Sequence, residues 1–458
     1  MKGLYFESSA GNRYFYHNGN GFIFPADYIQ EDIPEPVYNP PKADETTVRE
    51  QLEERGFREL ILEMSMACNF RCRYCCYGEH YQNTRNHGNE LMRYETAKEA
   101  VDFYLSHFET SGRGNIWRNP IVAFYGGEPL LNYEVIRQVV EYIEVNYADK
   151  DVEYTITTNG YLLTEDKMDF FVKHHFSLIV SFDGNRENHD RNRVDLSGRG
   201  TYERVYRAVR SFKNRYPDYL KFGISLCFDY RTDLTALDAF IQQEKLFIVS
   251  MSMISNTDTD YYEQFTEEEK EHFMEQYRMF KKRYLEKAFS GDPTLFTKGI
   301  LPALFAFEYL EFGTHSVYKE GRPQGFPYTG CCIPGEKLYV TVDRKIHICE
   351  KMAPEFSIGD LEKGLDYRYM AKLERIMNSN YDKCSQCDYS RFCNICYARS
   401  TNGDELKIPE NYCNERKEAV LELLKCYTDI MEQKPELFES FAADYFERLH
   451  EATGNIVD

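Results

Sequence analysis

From residue 58 to about 255 the chain alternates short apolar runs with longer stretches whose apolar residues recur every three or four positions. The short runs predict strands at 60–66, 120–125, 152–158, 177–182, 220–228 and 246–254. The amphipathic stretches between them include 94–108, 132–146, 164–175 and 202–215, read as helices. Six such repeats argue for a parallel sheet with helical crossovers, because a strand can rejoin its neighbour in parallel only through a long connection. The pattern by itself fits a partial barrel and an open doubly wound sheet equally well. Upstream, Leu4-Tyr5-Phe6, Arg13-Tyr14-Phe15-Tyr16 and Phe22-Ile23-Phe24 flank Asn18-Gly19-Asn20-Gly21, a hairpin signal. Pro34, Pro36, Pro40 and Pro41 mark a linker, and 46–55 reads as a short helix with a capping box at Thr47-Val48-Arg49-Glu50. Residues 262–312 are helical and charged, and 414–450 read as helices closing the last domain.

Composition narrows the function classes. The 458 residues carry 55 Lys+Arg against 75 Asp+Glu, a formal charge of −20, which argues against nucleic acid as a partner because phosphate binding rests on Lys and Arg. No run of 18 or so uncharged apolar residues occurs, so no membrane span is expected. The start, MKGLYFESSAGNRYF, lacks an apolar signal core, and a cytoplasmic location follows as an expectation. In that compartment the 14 cysteines point to metal or redox chemistry rather than to a disulfide framework.

The cysteines fall in two fields. Cys68, Cys72 and Cys75 directly follow the first predicted parallel strand, on a loop short enough to set three thiolates around one face of an iron–sulfur cluster. A fourth iron would then lack a cysteine and stay open to a ligand. Zinc fits this triplet poorly, since closed zinc sites use four ligands, commonly as two Cys-x2-4-Cys pairs. The second field runs through Cys331, Cys332, Cys349, Cys384, Cys387, Cys393, Cys396 and Cys413. On spacing alone, zinc remains a competitor there. Of the others, Cys227 and Cys426 read as buried packing, and Cys76 abuts the triplet.

The triplet with Tyr74 before its third cysteine resembles the signature of the radical S-adenosylmethionine (SAM) enzymes. So do Gly126-Gly127-Glu128-Pro129 after the second strand, and Ser181-Phe182-Asp183-Gly184 followed by His189 to Arg193 after the fourth. The resemblance implies a partial (β/α)6 barrel in which a 4Fe-4S cluster on the triplet chelates SAM and yields a 5′-deoxyadenosyl radical. By motif position, Gly126, Gly127, Glu128 and Pro129 would hold the methionine amino group. Ser181 and Arg193 would reach SAM, and Tyr74 and Ile254 would line the adenine pocket. The second field resembles the SPASM extension with two auxiliary 4Fe-4S clusters. It implies a distal cluster on Cys384, Cys387, Cys393 and Cys413, and a proximal one on Cys332, Cys349 and Cys396 with Cys331 as fourth ligand or an open iron. Arg344 stands where that family usually has glycine, and Cys393–Cys396 is one residue shorter than the common spacing.

The organisation expected is an N-terminal β-hairpin/helix module (1–55), a radical SAM barrel with helical spacer (56–325), a SPASM domain (326–415) and C-terminal helices (416–458). The N-terminal module either binds a precursor leader or covers one end of the next domain. The function implied is maturation of a ribosomally made, cysteine-containing precursor peptide. Thioether formation of the sactipeptide and ranthipeptide type is the leading reaction, with reduction by a donor such as flavodoxin or ferredoxin. Formylglycine formation in a sulfatase is the nearest rival. That branch has an aspartate base after the hairpin cysteine, where Glu350 stands here as the candidate catalytic residue. Carbon–carbon crosslinking, epimerisation and a zinc-stapled peptide-binding scaffold are the other readings.

Overall fold

The hairpin signal yields three antiparallel strands, β1 (Gly3–Glu7), β2 (Arg13–His17) and β3 (Ile23–Pro25). The computed structural model describes residues 2–28, 43–81, 85–110, 119–256, 259–292, 295, 298–305, 337–379, 383–384, 386–393, 396–402, 405–408, 412–435 and 443–453. The proline-rich linker and the pair Cys331-Cys332 lie outside them. Helix α1 (Glu45–Arg55) begins before the expected capping box: Asp44 is the cap, its Oδ1 accepting from Thr47 N at 2.9 Å and Thr47 Oγ1 at 3.1 Å. An aspartate satisfies the free N–H as well as threonine does and adds a charge suited to the helix dipole.

Six parallel strands follow: β4 (Glu59–Ser65), β5 (Ile121–Gly126), β6 (Glu153–Thr158), β7 (Ser177–Ser181), β8 (Phe222–Phe228) and β9 (Ile248–Met253). The helices between them are α2 (Tyr94–Thr110), α3 (Tyr133–Asn146), α4 (Glu165–Lys173), α5 (Arg186–Asn192), α6 (Tyr202–Arg215) and α7 (Leu234–Glu244). The strands lie side by side in sequence order. Right-handed crossovers between sequential neighbours all fall on one face, which decides for a singly wound, barrel-type sheet over a doubly wound one. Period-two alternation shows the same thing. Leu60, Leu62, Val122, Phe124, Ile156, Leu178, Val180 and Ile224 pack with the helices in one core. The opposite face carries Glu63, Tyr125, Thr155, Thr157, Ser181, Ser225 and Cys227 alongside the apolar Ile61 and Ala123.

The C-terminal portion continues this sheet. After α8 (Glu267–Ser290), β10 (Lys337–Val340) pairs in parallel with β4, and β11 (Lys345–His347), β12 (Gly359–Asp360) and β13 (Gly364–Leu365) extend it antiparallel. The β10–β11 turn puts Arg344 at φ 72, the left-handed region that favours glycine. The Arg344 guanidinium pairs with Glu99 at 2.8 Å. Helix α9 (Tyr367–Asn378), the two-residue strands β14 (Thr401–Asn402) and β15 (Glu405–Leu406), and α10 (Tyr412–Gln433) follow.

Two elements sit where the sequence did not place them. The N-terminal sheet packs on the cysteine-rich segment and α10, not on the end of the barrel: Leu4 and Tyr16 share a core with Phe392, Val420, Leu423 and Leu424. Polar ties reinforce it, Asn18 Nδ2 donating to Cys387 O (3.0 Å) and the fully buried Arg391 donating Nε–H to Asn18 O (2.7 Å). The last helix, α11 (Ala443–Thr453), leaves the cysteine-rich region and docks against the strands β7 to β9, with Arg448 donating to Leu220 O.

Candidate active site

The loop after β4 is clamped from two sides. On one, Gly127 N donates to Ser65 O (2.7 Å) and Glu128 N to Ala67 O (3.0 Å). The approach is so close that a Cβ on Gly126 would stand 2.4 Å from Ser65 O, and one on Gly127 2.5 Å from Ala67 O. On the other side, Arg71 N donates to Val194 O (2.8 Å) and Arg73 N to Asn192 O (3.0 Å). The loop thus holds Cys68, Cys72 and Cys75 at the C-terminal strand ends, where parallel barrels gather their chemistry.

Each of the three sulfurs has a donor or a cation beside it. Cys68 Sγ accepts from Phe70 N (3.4 Å) and faces Asn159 Nδ2 (3.9 Å); Arg193 Nη1 is 4.0 Å from Cys72 Sγ, and His87 Nε2 is 3.8 Å from Cys75 Sγ. Burial pushes the Cys72 thiol up to about 12, so this pocket favours the neutral thiol unless a metal takes the charge. Among the described residues no three Cys, His, Asp or Glu side chains converge on one metal-ion position. The donor set fits an iron–sulfur cluster, which spreads thiolate ligands more widely and is tuned by hydrogen bonds to sulfur.

Asp183, quoted in a motif but given no role from sequence, is the hub beside the triplet. Fully buried, it accepts from Tyr74 Oη (2.5 Å), Arg193 Nε (2.9 Å) and Cys227 N (3.0 Å). The Arg193 guanidinium, 5.3 Å over the Tyr74 ring, is thereby fixed between Asp183 and Cys72. Ile254, Tyr261 and Phe265 form an apolar cluster against which Tyr74 and Cys227 pack. Cys227, read from sequence as packing, packs against this cluster, and its backbone N–H also serves Asp183. His189 holds the loop from behind: its Nδ1 accepts from Asp183 N (3.3 Å), its Nε2–H donates to Thr201 Oγ1 (3.1 Å), and Thr201 donates to Arg193 O (2.8 Å). Burial, and Arg193 nearby, hold His189 neutral, well below its ordinary range. Asp190 accepts from Tyr202 N (2.8 Å) at the start of α6.

Glu128 is also buried, and both of its oxygens are engaged by the chain: Oε1 by Thr158 Oγ1 (2.6 Å) and Leu130 N (3.0 Å), Oε2 by Asn159 N (2.8 Å). Burial pushes its carboxyl up. It ties the turn at Pro129–Asn132 to the end of β6. Ser181 lies at the end of β7.

Four cysteines of the second field neighbour one another. Cys384, Cys387, Cys393 and Cys413 lie close enough that their mutual charge, after burial, pushes Cys384 up to about 11 and Cys393 up to about 12. Cys349, Cys396 and Cys76 all act on Lys351, whose ammonium is raised chiefly by Glu350. Cys349, Cys396 and Cys76 of the first field thus all lie within electrostatic reach of one lysine. Tyr77 Oη donates to the Glu350 carbonyl (3.4 Å), bridging the two fields. The role of Asp183 was missed because Tyr74 and Cys227, two of its three donors, are distant in sequence.

The sequence profile described as the Radical SAM superfamily matches residues 62–239. A cysteine-type anaerobic sulfatase-maturating enzyme of Clostridium novyi is 30% identical over 159 residues, 34% of this chain and 40% of that protein. An uncharacterized protein of Methanocaldococcus jannaschii is 33% identical over 129 residues, 28% of this chain and 40% of its own. The chain thus spans well under half the length of these curated relatives. A solved structure described as native anSMEcpe with bound AdoMet superposes with a TM-score of 0.55 at 19% identity, covering 84% of this chain and 99% of that one, a likeness of fold.

Proposed function

We propose that this chain, whose residues 62–239 form a radical SAM domain, modifies a cysteine-containing peptide by joining a cysteine sulfur to a carbon of another residue. The observation that carries the reading is the clamped Cys68–Cys72–Cys75 loop with Arg193, Asp183 and Tyr74 around it. When bound, the clusters and SAM supply a 5′-deoxyadenosyl radical able to take a hydrogen atom from carbon, together with a sink for one electron.

The chain's own residues bind and orient. Cys68, Cys72 and Cys75 hold the SAM-binding cluster. Arg193, fixed by Asp183, offers its guanidinium toward the methionine carboxylate, and the backbone at Gly126 and Gly127 receives the amino group. Glu128 acts through the turn it ties down, because the chain already engages its oxygens. Tyr74 and Ile254 enclose the adenine. Cys384, Cys387, Cys393 and Cys413 hold a distal auxiliary cluster, and Cys349 and Cys396 belong to a proximal one. Glu350, next to Lys351 in sequence, is the proposed acceptor of the thiol proton. Per bond the peptide loses two hydrogens, one as an atom from carbon and one as the thiol proton. An electron donor of the flavodoxin or ferredoxin type would supply reducing equivalents.

A second reading, oxidation of a cysteine to formylglycine, is favoured by the Clostridium relative. Mass spectrometry of a neighbouring short peptide product after incubation with enzyme, SAM and reductant separates them. Loss of two hydrogens with sulfur retained supports the thioether, loss of two hydrogens with sulfur replaced by oxygen supports formylglycine, and unchanged mass supports epimerisation.

A further inference from the structure

Among the described residues, Arg85 has no hydrogen-bonded acid; the one acid that feels its charge is the buried Glu63. Its segment runs along the end of β4, with Gly88 N donating to Met66 O (3.2 Å) and Met66 N to Glu90 O (3.0 Å). Only 8% exposed, the side chain lays its guanidinium 5.0 Å from the centre of the Tyr339 ring. Its Nε and Nη2 are both buried and have no hydrogen-bond partner among those residues. The nearby acid, Glu63, is already engaged: Oε1 accepts from Tyr339 Oη (2.8 Å) and Oε2 from Val342 N (3.1 Å).

Leaving two guanidinium N–H groups buried without acceptors is costly, and folded proteins satisfy such groups unless a ligand does so. The two free groups are not arbitrary. Nε–H and Nη2–H point the same way along one edge of the guanidinium, the fork that takes both oxygens of a carboxylate. The guanidinium lies over Tyr339, which clusters with Ile61, Ala123 and Tyr125 on the sheet face that also carries Glu63, and His87, two residues on, reaches Cys75 Sγ. It stands between the cysteine loop and the β10–β11 hairpin that leads to Cys349.

We propose that Arg85 binds a carboxylate of the peptide substrate, seating an acidic residue or the peptide's C-terminus beside the Cys68–Cys72–Cys75 loop. The assignment of the ligand to a peptide rests on the function proposed above. The carboxylate specificity rests on the geometry of the fork.

The test uses the anaerobically reconstituted full chain and its Arg85→Met variant, which keeps the length but removes the charge. Thermal unfolding is followed with N-acetyl-aspartate N′-methylamide, its asparagine counterpart, N-acetylalanine, and SAM. The wild type is expected to bind one of the carboxylate probes about tenfold or more tightly than the amide. The aspartate probe stands for a side chain, N-acetylalanine for a C-terminus. Arg85→Met is expected to lose that preference while unfolding at or above the wild-type temperature. Equal binding of acid and amide, a variant that loses several degrees of stability, or loss of stabilisation by SAM in the variant would each overturn the proposal. Formation of 5′-deoxyadenosine by the wild type, measured alongside, reports separately on the radical reading.

Discussion

Replacing Gly127 by alanine probes the clamp on the cysteine loop. The new Cβ would stand 2.5 Å from Ala67 O, 2.8 Å from Ala67 C and 3.1 Å from Met66 O, all of them backbone. Ordinary contact begins at 3.4 Å, so the Ala67 carbonyl must retreat by about 0.9 Å. No flexible side chain can yield in its place. Overpacking of this kind costs about 1–3 kcal/mol. The retreat also stretches the bonds Gly127 N to Ser65 O and Glu128 N to Ala67 O, each contributing about 1 kcal/mol. A loss of about 2–4 kcal/mol is expected, together with a lower iron content at the triplet, read by denaturant unfolding and iron analysis. Gly198→Ala is the control: nothing lies within 4 Å of its added Cβ, so whatever its positive φ costs the turn, it should leave the iron content unchanged. Gly127→Ala with wild-type stability and full iron would refute the view that the glycine pair exists to let the two backbones meet.

Asp183→Asn should destabilise by about 3–5 kcal/mol in the same unfolding assay, since it leaves Arg193 buried without its counter-charge and sets an amide against three donors. His189 is neutral when folded but protonates below about pH 6.5 when unfolded, so the unfolded state binds more protons there and stability must fall as pH drops. His347, held down to about 3 by burial, adds to that slope. His189→Asn should flatten it by up to about 1.4 kcal/mol per pH unit in urea titrations below pH 6.5; an unchanged slope contradicts the assignment. Asn18→Ala removes the bonds to Cys387 O, Ser390 Oγ and Arg391 N, and should cost roughly 3 kcal/mol with iron short by about one cluster. Full iron content in that variant would mean the N-terminal sheet does not support the distal cysteines.

The parallel core was legible because each strand alternates and each crossover is amphipathic, signals local to the segment. The spacing of Cys68, Cys72 and Cys75 was visible for the same reason, since three cysteines on one short loop are a local property. Arg344 was visible as a departure from glycine, and its φ of 72 gives the departure a physical meaning: Glu99 holds a side chain where the backbone prefers none. What escaped is non-local. The docking of Leu4 and Tyr16 on Phe392 joins surfaces nearly 400 positions apart, and hydrophobic pattern says which face is apolar but not what covers it. The hub at Asp183 escaped likewise, because its donors come from the cysteine loop, β8 and the end of α5. Helix α11 carried a clear pattern, but its partners, β7 to β9, lie some 200 residues upstream.

Everything turns on whether the iron held by three thiolates is where SAM is cleaved. The direct measurement is 5′-deoxyadenosine and methionine formed under strong reductant by the reconstituted wild type and by a Cys72→Ala variant that keeps the iron of its C-terminal cysteines. Product from the wild type and none from the variant is the result expected. Undiminished product from the variant, or a wild type that binds zinc without sulfide and leaves SAM intact, would contradict it.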